Sequence, residues 1–230
     1  MRIALRGRRI LRTAFVGMLL AAGMLLLPQV LKTAGAGVLP GNANAYGASL
    51  EQWMLMETSW LLGGTQIAPD TNGNADIGNV VLLPLPSAAG DGTPASIDVT
   101  LDSGQAFTLP FFQWIGNSYV DGSVDPMADV NDFKNMAITV KLDGVPVITG
   151  KNIMNYYTEG AFNPPLTTDL PQGIGATAWV FAQSVGMVHT PLAPGKHTLT
   201  LDESISLPDL GFPAPVVFRN TWNITVKAGK

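Results

Sequence analysis

The chain has 230 residues, among them 13 basic and 17 acidic side chains, two histidines and no cysteine. Six of the basic residues (Arg2, Arg6, Arg8, Arg9, Arg12 and Lys32) fall in the first 45 positions, which hold no acid, so residues 46–230 carry seven basics against 17 acids and a net charge of about −10. An acidic body whose few cations are scattered lacks the clustered positive face that a nucleic-acid partner requires, and a chain without thiols can form neither disulfides nor thiolate metal sites.

Residues 1–45 have the layout of an export signal. The arginines form a positive start, Ala14 to Leu27 is an uninterrupted apolar run, and Ala43-Asn44-Ala45 offers a small-residue cleavage site. Pro28 ends the apolar run short of the roughly 20 residues that a bilayer helix needs, so the segment is expected to be cleaved rather than to span. Arg8-Arg9 loosely resembles a twin-arginine signal, although Gly7 precedes the pair where Ser or Thr is usual. The expected organisation is a signal peptide over 1–45 and one secreted or periplasmic domain over 46–230, free of the membrane after cleavage. A domain of this length buries enough surface to stand without disulfides.

The first predicted element of that domain is a helix. Ser49 is a suitable N-cap, Trp53, Met56 and Trp60 recur at spacings of three and four, and Gly63-Gly64 stops the run. Its wide apolar stripe is expected to pack on a sheet. Beyond it the pattern changes to short β-prone runs separated by turn residues: Asn79 to Leu85, Ser96 to Leu101, Ala106 to Trp114, Met136 to Leu142, Val145 to Thr149, Ile153 to Thr158, Ala178 to Val188, Lys196 to Leu201 and Val216 to Lys227. Polar and apolar residues alternate most clearly in Ile97-Asp98-Val99-Thr100-Leu101 and His197-Thr198-Leu199-Thr200-Leu201, as in strands with one buried face. Asp143-Gly144 predicts a tight hairpin, and Pro194-Gly195 a turn before the next strand. Asn117 to Asn135 and Phe162 to Thr177 are left as long loops. The fold class expected is mainly β: an antiparallel β-sandwich, jelly-roll or immunoglobulin-like, with one N-terminal amphipathic helix.

In chain order, Tyr46-Gly47, the Trp53 and Trp60 helix, Asp70-Thr71-Asn72-Gly73, Gly104-Gln105-Ala106-Phe107 with Pro110, Asp143-Gly144-Val145-Pro146 and the run from Pro191 to Thr198 resemble a family of uncharacterised secreted bacterial proteins. The resemblance spans nearly all of 46–230 and rests on the order of these blocks. It implies location and fold, and it brings no assigned activity and no catalytic residues. Members often carry cysteines in the second and third blocks, which this chain lacks.

Four groups of residues are candidates for chemistry. Asp121, Asp125, Asp129 and Asp132 cluster in one loop and supply hard oxygen ligands that suit calcium, or else form a solvated acidic loop. Asp70, Asn72, Asn74 and Asp76 alternate as calcium-loop ligands do, but Val81 stands where such a loop wants a glutamate, and the same residues are ordinary turn formers. Trp114, Tyr119 and Tyr156 could stack on a sugar if exposed together, or pack in the core. Ser184 in Ala182-Gln183-Ser184-Val185-Gly186 has the spacing of a nucleophile elbow, yet the residues after it continue as a strand where the elbow requires a helix. No resident cofactor is implied beyond a possible calcium ion. Elimination leaves a non-catalytic binding or structural module with a glycan or protein partner outside the cytoplasm. Its rivals are a polysaccharide hydrolase or lyase using the loop carboxylates and a calcium-stabilised surface protein.

Overall fold

The computed structural model describes residues 37–229, so the arginine-rich start and the apolar run of the expected signal lie outside the described residues. Ser49 caps helix α1 (Leu50–Leu61) with a complete capping box: its hydroxyl accepts the Gln52 N–H at 3.2 Å while Gln52 Oε1 accepts the Ser49 N–H at 2.9 Å. The buried stripe is Leu50, Trp53, Met54, Glu57 and Thr58, a 3.6-residue period shifted from the expected Trp53, Met56, Trp60 face. Met56 and Trp60 are only half-buried.

Ten strands follow: β1 (Ala75–Ile77), β2 (Val80–Leu82), β3 (Asp91–Leu101), β4 (Ala106–Tyr119), β5 (Ala137–Leu142), β6 (Val145–Thr149), β7 (Tyr157–Leu166), β8 (Ala176–His189), β9 (Gly195–Ile205) and β10 (Val216–Val226). A short helix α2 (Val130–Lys134) interrupts the first expected loop, and a 3-10 turn over Ile153–Tyr156 precedes β7. The strands form two packed sheets, ordered β1-β2-β4-β8-β7 and β3-β10-β9-β5-β6. The sandwich is therefore as expected, but it is not wholly antiparallel, because β2 pairs with β4 and β3 with β10 in parallel. Parallel neighbours need a crossover between them. Here β3, lying in the opposite sheet, provides the crossover between β2 and β4.

Side-chain alternation decides the layering. On β9, Leu199, Leu201 and Ile205 turn inward, and on β10 Trp222, Ile224 and Val226 do the same. The Trp222 indole N–H reaches the Pro84 carbonyl at 2.8 Å, which ties the segment after β2 to the facing sheet. Asp143 and Gly144 both adopt positive φ (51° and 78°), the backbone of the tight β5–β6 hairpin read from the sequence.

Helix α1 lies on β4, β7 and β8. The sheet makes room for it with glycine. A Cβ on Gly186 would run into Met54 Sδ and approach the Leu109 carbonyl to 2.8 Å, and one on Gly160 would meet Leu55 Cδ1 at 2.8 Å. Gln113 on β4 completes the seam through its side-chain bonds to Thr58 and Ser184.

Residues 37–45, ahead of Tyr46, pack against the domain. Val38 forms a bridge with His189 and is 1% exposed, and Leu39 N–H donates to the Val188 carbonyl at 2.9 Å.

Candidate functional site

Among the described residues, an open concavity runs between α1 and the edge strand β7. It encloses about 620 Å³ and is lined by Leu55, Met56, Phe162, Pro164 and Leu166, with Gln52, Ser59, Thr65 and Asn163 as its polar groups. No charged side chain lines it. Local sequence explains each wall. Gly63, at φ 69°, terminates α1 and turns the chain so that Thr65 returns along the helix, where the Thr65 and Ser59 hydroxyls share a hydrogen bond of 2.7 Å. The opposite wall is the part of β7 where pairing with β8 breaks between Ala161 and Leu166, around Asn163, Pro164 and Pro165. Prolines have no N–H to give a ladder, so these two block the addition of another strand at this edge. An apolar cleft with few, fixed polar groups is the usual form of a binding site. The sequence did contain a signal for it: the helix carries more apolar residues than one buried stripe uses, and Leu55 and Met56 are the surplus.

The loop carboxylates are engaged separately. Asp125 accepts the Asn117 N–H at 2.8 Å, the Asn117 side-chain amide at 3.0 Å and the Tyr119 hydroxyl at 2.7 Å. Burial alone would raise its pKa, but these donors together outweigh burial and hold it below the ordinary value. Asp121 accepts the Ser123 hydroxyl and N–H in a local turn, which lowers its pKa too. Asp129 caps α2 by accepting the Asn131 N–H at 2.8 Å. Asp132 sits in the first turn of α2, its pKa raised by burial and by the neighbouring charges of Asp129 and Asp209. In the other group, Asp70 Oδ1 accepts the N–H groups of Asn72 and Asn74, and Asn74 Nδ2 donates to the Thr100 carbonyl at 2.7 Å. Asp76 lies on β1, and Lys227, just past β10, bonds to Asn72. Among the described residues, no three His, Cys, Asp or Glu side chains are grouped so as to hold a metal ion.

The three candidate aromatics do not form a common face. Tyr156 is 3% exposed and belongs to the core. Trp114 and Tyr119 are half-buried; the Trp114 N–H donates to the Pro126 carbonyl at 2.9 Å and its ring meets Phe212 edge-on, while Tyr119 is held by Asp125. Ser184 lies within β8 and is buried, with no helix following it, and Gln113 donates to its hydroxyl.

Two buried carboxyls escaped the sequence reading. Glu57 on α1 is fully buried, with Thr108 beside it, and burial raises its pKa well above the ordinary value, Thr108 opposing the shift. Glu203 faces the sandwich interior, flanked along β9 by Leu201 and Ile205, and burial raises its pKa likewise. Alternation along β9 could have placed Glu203 inside, but a carboxylate reads by default as solvent-facing.

No family model and no curated protein matches the chain. Among solved structures it is similar to that of PbICP-C in complex with falcipain-2, at 14% identity over 65% of this chain and 100% of that one, with a TM-score of 0.28. It is also similar to the solution structure of Amebosin, at 10% identity over 57% of this chain and 96% of that one, with a TM-score of 0.19. Superpositions this loose leave the site to be read from its own residues.

Proposed function

We propose that the protein is an exported, non-catalytic binding module that holds apolar side chains of a protein partner in the groove between α1 and β7. The observation that carries this reading is the composition of the groove: seven apolar side chains, four uncharged polar ones and no charge. A sugar would require an exposed ring face together with several hydrogen-bond donors. The one aromatic here, Phe162, is 8% exposed. A protein segment presenting Leu, Met or Phe suits the groove better, because burial of apolar area supplies the affinity and Gln52 and Asn163 fix orientation. The prolines of β7 favour side-chain insertion over strand addition. The carboxylates considered for hydrolysis cap turns and helices, a role that suits a scaffold.

Selection of a displayed random-peptide library on the purified protein tests this. The reading expects enriched peptides rich in Leu, Met and Phe, with affinity falling about tenfold or more, ~1.4 kcal/mol, on Met56→Lys under conditions where circular dichroism shows the variant folded. Peptides that bind Met56→Lys as well as the native protein, or the absence of any enriched set, would refute it.

A further inference from the structure

We infer that the exported protein begins at Gly37, with export cleavage between Ala36 and Gly37 rather than after Ala45; this inference rests on the export reading. Residues 37–45 are part of the domain. Thr190 N–H donates to the Gly37 carbonyl at 2.8 Å and Leu39 N–H to the Val188 carbonyl at 2.9 Å, so the segment extends the sheet beside the end of β8. Val38 is sealed in the core by that pairing. A side chain at Gly37 would strike the His189 ring, so the position suits glycine. Gly41 is closed in the same way by the Asn155 carbonyl.

The candidate cleavage residues 43–45 are themselves structural. Ala45 is buried and exchanges backbone hydrogen bonds with Ala48 at 2.9 and 3.2 Å. Its carbonyl accepts the indole N–H of Trp53 at 2.7 Å. Trp53 is among the largest fully enclosed side chains, so removing residues 37–45 would leave a buried donor without its acceptor and a void where Val38 stands. A boundary after Ala45 thus opens the core of the molecule it is meant to release.

The sequence supplies the alternative. Ala34-Gly35-Ala36 satisfies the same small-residue rule as Ala43-Asn44-Ala45, with alanine at both recognised positions. Cleavage there by a membrane-bound signal peptidase adds water across the Ala36–Gly37 amide. The Ala36 carbonyl carbon takes the hydroxyl and leaves as a carboxylate, and the Gly37 nitrogen takes the proton and becomes the free amine of the mature chain.

The test is expression of the full chain in an exporting bacterial host, followed by intact mass and N-terminal sequencing of the exported material. The expected start is Gly37-Val38-Leu39-Pro40. Ala36→Tyr should then accumulate uncleaved precursor, whereas Ala43→Tyr, which would block cleavage after Ala45, should leave processing unchanged. Exported protein starting at Tyr46, or processing blocked by Ala43→Tyr and not by Ala36→Tyr, overturns the inference while leaving export intact. Full-length chain retained in the cytoplasm overturns export and, with it, this boundary.

Discussion

His197 Nδ1 lies 2.8 Å from Asp143 Oδ2, and its other ring nitrogen lies 2.8 Å from the Ala193 carbonyl. Both partners are acceptors, so both ring nitrogens donate and the ring is held as the imidazolium. Asp143 also accepts the Thr198 N–H at 2.9 Å, which locks the β5–β6 turn to the start of β9. The ring therefore staples a hairpin tip to its neighbouring strand.

The sign of the resulting pH dependence follows from both partners. The His197 pKa is raised, chiefly by the Asp143 hydrogen bond, so its contribution is complete below its ordinary 6.5 and is lost as pH rises through the raised value. Burial would raise the Asp143 pKa, but His197 and the Thr198 N–H bring it below 3.8, so its contribution is lost as pH falls through that lowered value. Replacing His197→Gln should cost most between the ordinary carboxylate and imidazole values, 3.8 and 6.5, and least once pH exceeds the raised His197 value. Asp143 is half-exposed, and solvent screening keeps the loss to about 0.5–1 kcal/mol. Thermal melts of both proteins across this range check it; a difference that grows toward alkaline pH contradicts the imidazolium assignment.

Glu203 should be a burden at neutral pH. Its carboxyl is 1% exposed and neither oxygen has a hydrogen-bond partner. Burial raises its pKa, so folding favours the protonated form, and the stability it permits below its ordinary 4.5 is lost as pH rises toward the raised value. Glu203→Leu should stabilise the protein by about 1–3 kcal/mol at pH 7, with the gain shrinking at pH 4. Urea denaturation at the two pH values measures both; a loss of stability at pH 7 would mean that the carboxylate has a structural partner.

Gly186→Ala should loosen the seat of α1. Met54 can swing away from the new methyl group, but the Leu109 carbonyl, 2.8 Å from it, belongs to a paired strand and cannot. Overpacking of this kind costs about 1–3 kcal/mol. A lower denaturation midpoint at unchanged slope is the expected result, and an unchanged midpoint would show that the helix rides more loosely on its sheet.

Melting in excess calcium and in excess chelator should give the same midpoint, because a ligand held only by the folded state must raise it. Asp121, Asp125 and Asp129 already accept hydrogen bonds from their own neighbourhoods. Asp125→Ala should lower the midpoint in either buffer by releasing Asn117 and Tyr119, a loss of about 1–3 kcal/mol. A calcium-dependent shift that disappears in Asp125→Ala would instead establish a metal loop.

Much of the architecture was legible because it rests on short-range signals. Ser49, Asp143-Gly144 and the alternation around Leu199 act through their immediate neighbours, and each lies where the sequence reading put it. Residues whose role depends on distant partners were not legible. Nothing local to Val38 says that His189 waits for it, and Pro164-Pro165 marks a break in pairing without saying that α1 lies across from it to form a groove. The α2 segment looked like a loop because Asp129-Val130-Asn131-Asp132 is rich in turn formers, whereas Phe133, buried in the core, fixes it as a helix. Tyr156 and Tyr157 differ by one position, and only the 3-10 turn before them decides which ring goes inside.

The placement of β10 has a consequence for biosynthesis. This strand, the last one described, sits between β3 and β9, so β3 has no partner in its sheet until the ribosome has passed Val226. Pairing of Val99 with Ile224 joins segments from opposite halves of the chain, a connection that forms slowly and late. Until then β3 waits without its neighbour, and the second sheet reaches its full five strands only when synthesis of the described chain is nearly complete.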